Sequence, residues 1–313
     1  MLVMSACGSS PTKVADAMDQ EMAKHLKIGV VLPDVGLGDQ SFNDLAIEGL
    51  VKAQEELDIV WNYSDLTTNE TIEDALNELM KEHNDIIIGV GYSTQEMIEK
   101  AAKANPTKRF MLVDTVSDVK NIDSISFKEN EGSYLAGVVA AKTTKTNVLG
   151  FVGGMEDDII KRFYDGFKEG AQSINRDIQV IEKYANTYED AKLGADLASE
   201  MITLDHADVL YAAAGYTGVG LLQEAQKQHV YAIGVDSDQY FYAEKAVITS
   251  MIKNIDIAVF DYVKSIQEDP TQGQIQMELG IKEDGVGIAP VRILPHASNI
   301  ERTVDKIRES MFQ

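Results

Sequence analysis

The chain of 313 residues is poor in the side chains that most often carry chemistry. It has one cysteine, Cys7, which excludes an intramolecular disulfide and a cysteine-built metal site. Its five histidines, His25, His83, His206, His229 and His296, are scattered without metal-ligand spacing. Neither G-x-S-x-G nor H-E-x-x-H occurs, so no local signature sets a nucleophile beside a base, and no enzyme is expected. G-x-x-x-x-G-K-[ST] and G-x-G-x-x-G are missing as well, so nothing indicates a nucleotide phosphate, and no cofactor is expected. Positive charge is scarce. Lys plus Arg number 28 against 51 Asp plus Glu, a formal net charge of -23 that repels phosphate backbones, so nucleic acid is not expected as a partner. After the N-terminus no segment approaches the roughly 18 consecutive apolar residues of a membrane span.

What the chain does have is alternation. Short runs rich in Val and Ile read as strands at Ile28-Leu32, Ile86-Val90, Phe110-Asp114, Val148-Val152, Ile178-Glu182, Asp208-Ala213, Tyr231-Val235 and Val247-Met251. Between them lie helical periodicities, such as Ile72, Ala75, Leu76, Leu79 and Met80, or Leu193, Leu197, Met201 and Ile202. Strand and helix in turn predict βαβ units and parallel sheets, an α/β fold. The polar stretch from Ser124 to Gly132 breaks the series after three strands, and a second break follows Gly234-Val-Asp-Ser-Asp-Gln239. The expected organisation is a tether over 1–26, a first lobe of 27–127 plus 240–275, and a second lobe of 128–239 plus 276–313. The two sheets would face each other across a cleft; one barrel of eight units is the alternative.

In open parallel sheets ligands bind at the carboxyl ends of the strands. Asp39, Phe42 and Asn43 follow the first strand, and Gly91, Tyr92 and Ser93 the second. Asp114 ends the third, and Asp236 with Asp238 follows Tyr231-Val235. Such carboxylates accept from hydroxyls or ring N–H groups, or else cap the following helices. Gly-rich turns at Gly153-Gly154 and Ala214-Gly-Tyr-Thr-Gly218 either let a backbone approach a ligand or simply turn tightly. Asp157-Asp158 reads as a solvated helix start.

The N-terminus, Met1-Leu-Val-Met-Ser-Ala-Cys7, resembles the tail of a bacterial lipoprotein signal peptide, in which the cysteine becomes the acylated first residue. A basic n-region and most of the apolar stretch do not precede it.

Seven stretches in order resemble the Bmp/PnrA family of bacterial lipoproteins, the purine-nucleoside receptors of ABC importers, which includes the Med-type proteins. They are Asp39-Gln-Ser-Phe-Asn43, Phe127-Lys-Glu-Asn-Glu-Gly-Ser-Tyr-Leu-Ala-Gly137, Gly150-Phe-Val-Gly-Gly154, Phe163-Tyr-Asp-Gly-Phe-Lys-Glu-Gly-Ala171, Ala214-Gly-Tyr-Thr-Gly218, Ile233-Gly-Val-Asp-Ser-Asp-Gln239 and Thr249-Ser-Met-Ile-Lys253. The resemblance implies a two-lobed type I periplasmic-binding-protein fold, each lobe a parallel sheet flanked by helices. It further implies an extracytoplasmic receptor anchored to the membrane through Cys7, with ABC permease subunits as partners. Phe42 and Tyr188 would sandwich the purine, Asn43 and Asp114 would read its edge, and Asp236 and Lys253 would hold the ribose. Gly215 would let the backbone close in. Tyr188 stands where the family usually has Phe or Trp, and Tyr216 replaces a common second Gly. Phe163 is a candidate second stacker or a core residue. The site's carboxylates suit ribose hydroxyls and repel phosphate. A Med-type regulatory protein and a sugar receptor of the same fold remain as alternatives.

Overall fold

A computed structural model describes residues 25–33, 36–39 and 41–311. Cys7 and residues 1–24 of the tether expected over 1–26 lie outside the described residues, and Leu26, expected in the tether, opens the first strand. The strands are β1 (Leu26–Val31), β2 (Ile59–Ser64), β3 (Ile86–Val90), β4 (Arg109–Val113), β5 (Ile122–Phe127), β6 (Val148–Gly153), β7 (Gln179–Tyr184), β8 (Val209–Ala213), β9 (Tyr231–Asp236), β10 (Val247–Lys253), β11 (Gln276–Leu279) and β12 (Val286–Ile288). They form two six-stranded sheets, ordered β11-β5-β4-β3-β1-β2 and β12-β10-β9-β8-β6-β7. Adding five to each of β1–β5 gives β6–β10 in the same order, so the second sheet repeats the first. Every pairing is parallel except β10 with the short β12.

The helices are α1 (Phe42–Glu56), α2 (Ile72–Lys81), α3 (Gln95–Ala104), α4 (Glu129–Thr143), α5 (Asp158–Ile174), α6 (Ala191–Thr203), α7 (Gly215–Lys227), α8 (Ile255–Glu268) and α9 (Ala297–Ser310). Side-chain caps start several of them: Thr71 accepts from the Asp74 amide, Asp157 from Ile160 and Asp190 from Leu193. Helices α4 and α5 pack backbone to backbone. A Cβ on Gly170 would lie 2.0 Å from the Tyr134 carbonyl oxygen, which explains the glycines in two of the stretches quoted above. Central strands such as β3 are buried throughout because helices cover both faces.

Three features differ from the sequence reading. The stretch from Ser124, read as a polar turn, opens inside β5 and continues into α4. Ser124 and Glu129 within it are buried, and Asp123 just before it is buried and accepts from Arg109 Nε at 2.5 Å, from the Tyr262 hydroxyl at 2.7 Å and from the Ile275 amide at 2.7 Å. Strand β2 lies at the sheet edge, where half-exposed Trp61, Asn62 and Tyr63 dilute the apolar signal. The lobe boundaries also shift. β10, expected in the first lobe, pairs with β9 in the second sheet, and β11, expected in the second, pairs with β5 in the first. The chain therefore crosses between lobes after Phe127, after Lys253 and between β11 and β12. The physical reason is burial: Val247–Met251 fills the gap beside β9, and α8 then returns to pack on α1.

Candidate functional site

A cavity of about 560 Å³ lies between the carboxyl ends of the two sheets. Asp39, Phe42, Asn43, Asp114, Tyr188, Gly215, Asp236 and Lys253 all line it, the first four from one lobe and the last four from the other. Convergence follows from topology, because Asp236 and Lys253 end β9 and β10, Asp114 and Gly215 follow β4 and β8 closely, and Asp39, Phe42, Asn43 and Tyr188 stand in the turn or helix start that follows β1 or β7. Asp238, the other acid singled out after β9, turns away and forms a two-pronged pair with Arg292 at 2.9 and 2.6 Å.

Lys253 is the electrostatic centre. Its ammonium sits 2.5 Å from Asp114 Oδ1 and 3.3 Å from Glu129 Oε1, with its side chain only 1% exposed. Burial opposes its charge, but Asp114, Glu129 and Asp236 outweigh that and raise its pKa. The same ammonium lies 5.4, 5.0 and 5.5 Å from the ring centres of Phe42, Phe127 and Phe163, within cation–π range. Phe163 is itself buried in the core cluster while lining the cavity.

The carboxylates respond in opposite directions. Burial pushes Asp114 up to about 6, opposed by Lys253 and reinforced by Glu129. Burial also raises Asp236, with Lys253 and the Ser41 hydroxyl opposing it. Glu129 is held below its ordinary value although burial acts against that, because Lys253 and Arg162, whose Nε is 2.8 Å away, favour the anion. Asp114 and Asp236 occupy equivalent places after β4 and at the end of β9, and both have left-handed backbone, with φ of 76° and 64°. Such conformations are uncommon outside glycine and cluster at functional sites.

Asp39 is engaged by its own chain. Its carboxylate accepts from the amides of Ser41, Asn43 and Asp44 at 3.0, 2.7 and 3.1 Å, so it caps α1 as well as lining the cavity. Burial pushes it to about 6, and these three amides pull the other way. Asn43 is fixed by the loop it faces, donating from Nδ2 to Pro33 O at 3.2 Å and Gly36 O at 3.0 Å. Phe42 and Tyr188 are each half-buried, and a Cβ on Gly154 would stand 2.0 Å from Tyr188 Cε1, so that glycine makes room for the ring. Gly215 has φ of 51°, the left-handed turn that starts α7 at the cavity wall.

The sequence reading gave no role to Glu129, Ser41 or Arg162. Glu129 lies in the stretch read as a polar turn; its complete burial is visible only once β10 brings Lys253 against α4. Ser41 Oγ donates to Asp236 Oδ2 at 2.5 Å, a contact between residues 195 positions apart. Among the described residues no cluster of three or more His, Cys, Asp or Glu could hold a metal ion.

The family model described as ABC transporter substrate-binding protein PnrA-like, Bmp, matches residues 25–310. A "CD4+ T-cell-stimulating antigen" of Listeria innocua is 35% identical, the alignment covering 97% of this chain and 89% of that protein. The "ABC transporter nucleoside-binding protein BmpA" of Lactococcus lactis is 34% identical over 91% of this chain and 87% of its own length. Among solved structures, an ABC transporter solute-binding protein from Aeropyrum pernix K1 superposes with a TM-score of 0.78 at 27% identity, covering 91% of this chain and 86% of that one.

Proposed function

Because the chain belongs to the Bmp family of ABC transporter substrate-binding proteins, a family of extracytoplasmic solute receptors rather than enzymes, we propose that it closes its lobes on a purine nucleoside and delivers it to a permease. The observation that carries this reading is the pairing of Phe42 and Tyr188, one aromatic from each lobe, on the walls of one cavity of about 560 Å³. That volume falls within the roughly 300–1,000 Å³ range of small-molecule sites. Aromatic faces suit a flat base, each stacked base contributing on the order of 1–3 kcal/mol. Asp114 and Asp236 suit ribose or base donors, and Lys253, the one Lys or Arg lining the cavity among the described residues, is already surrounded by carboxylates. A phosphate would meet anions without spare cations. The name of the Lactococcus relative, a nucleoside-binding protein, points the same way. Contacts shared by both lobes favour the closed state, which is how ligand would drive closure.

The test is calorimetry with inosine, guanosine, adenosine and their 5′-monophosphates. Nucleosides bind and monophosphates do not; absence of heat and of any thermal shift with every nucleoside sinks the proposal. The membrane anchor is a separate part of it, through acylation of Cys7. Mass spectrometry of protein from native membranes would find the acylated cysteine, and an unmodified Cys7 would remove that part alone.

A further inference from the structure

Arg162 lies on α5 with its side chain 40% exposed and does not line the cavity. Its Nε nevertheless donates at 2.8 Å to Oε2 of Glu129, which is fully buried at the start of α4. The other oxygen of that carboxylate, Oε1, stands 3.3 Å from the Lys253 ammonium, which approaches Asp114 Oδ1 to 2.5 Å. No other donor reaches Glu129 Oε1 or Asp114 Oδ1 among the described residues. Three buried carboxylates, Asp114, Glu129 and Asp236, are thus set against two cations, Lys253 at the cavity and Arg162 behind it.

A buried anion stripped of its partner takes a proton or draws another cation to itself. Glu129 is held below its ordinary value by Lys253 and then by Arg162, against the effect of burial. Without Arg162, Glu129 would depend on Lys253, and the ammonium would settle toward Glu129 at the expense of Asp114. Asp114 is vulnerable to that loss, since burial already pushes it up to about 6 and Lys253 is what opposes this. Asp236 and Asp157 also face these charges, but each has a donor of its own, Ser41 Oγ at 2.5 Å and the Ile160 amide at 2.8 Å. A protonated Asp114 would offer a ligand an O–H donor in place of a full acceptor.

Taking only its ligand from the nucleoside reading above, we infer that Arg162 is a positioning residue of the binding site. By compensating Glu129 from outside the cavity it leaves the Lys253 ammonium on Asp114, and so keeps Asp114 an anionic acceptor toward the ligand.

Site-resolved carbon-13 NMR titration of the carboxyl groups in the ligand-free full chain tests this in the wild type, Arg162→Gln, Arg162→Lys, Glu129→Gln and Arg162→Gln/Glu129→Gln. Glutamine keeps a donor and drops the charge. The Asp114 midpoint rises by about one pH unit in Arg162→Gln and returns in Arg162→Lys. Asp39, held by amides at the start of its own helix, stays in place. In the Glu129→Gln background the arginine has no buried anion to compensate, so single and double variants agree to within about half a unit. That pair decides the question even where Arg162→Gln alone does not fold. Calorimetry with inosine adds a second readout: Arg162→Gln binds about five-fold more weakly at pH 6 and recovers by pH 8.5, as a shift of about one unit requires. A purely structural defect would weaken binding equally at both. An unmoved Asp114 midpoint, no recovery with lysine, or a shift that persists in the Glu129→Gln background overturns the inference. Failure of the wild type to bind inosine overturns the nucleoside reading, and the carboxyl titration still decides this one.

Discussion

The hydroxyl of Ser41 donates a 2.5 Å hydrogen bond to Asp236 Oδ2, tying the loop after β1 of one lobe to the last residue of β9 in the other. A bond to an ionised acceptor contributes about 1.5–3 kcal/mol, enough to shift a two-state equilibrium by roughly one to two orders of magnitude. Ser41→Ala therefore opens the ligand-free protein. Small-angle scattering would show a larger radius of gyration without ligand and an unchanged one with saturating nucleoside. An unchanged ligand-free radius refutes the role given to this bond.

Gly154→Ala tests the second aromatic wall. The added methyl would stand 2.0 Å from Tyr188 Cε1, and no positive φ adds backbone strain, so the ring must move. Affinity for nucleoside falls by about 1–3 kcal/mol, the worth of one stacked base. In a Tyr188→Ala background the same glycine change is nearly neutral. Additive losses in the double variant would show that Gly154 acts elsewhere.

Lys253→Met leaves Asp114, Glu129 and Asp236 buried without their shared cation. Removing one partner of a buried ionic group costs about 3–5 kcal/mol, read by urea denaturation. Adding Asp114→Asn recovers part of the loss, because one uncompensated carboxylate disappears. A single variant as stable as the wild type contradicts this account of the cluster.

Stability also depends on pH. Asp39 and Asp114 have folded pKa values near 6, above the ordinary 3.8. The folded state thus holds more protons than the unfolded chain between those limits, so the contribution of these groups falls as pH rises through about 6. Urea unfolding at pH 5.5 and 7.5 would show the wild type losing stability relative to Asp114→Asn at the higher pH. A difference of the opposite sign disproves the assignment.

Much of this architecture is legible in the sequence, for physical reasons. Central strands such as Ile86–Val90 are uniformly apolar because both faces are covered, and parallel sheets put ligand groups at strand ends, where Asp114, Gly215, Asp236 and Lys253 stand. What stays hidden depends on partners remote in the chain. Asp123, just before the stretch read as a polar turn, has its place inside β5 only through Arg109 and Tyr262, which satisfy it there. Glu129 looks solvated until Lys253 and Arg162 close around it. The lobe boundary is misread for a related reason: β10 belongs beside β9, which only strand pairing reveals.

Lys253 is the last residue of β10, and the chain leaves the second lobe immediately after it; Glu129 stands just past another of the three crossings, the one that follows Phe127. The cluster that faces the cavity is thus built from the connecting segments themselves. Any rotation of one lobe against the other must turn the backbone that carries this ammonium and carboxylate. Occupancy of the cavity and the angle between the lobes are then set at the same peptide bonds, and no relay between a distant sensor and a pivot is required.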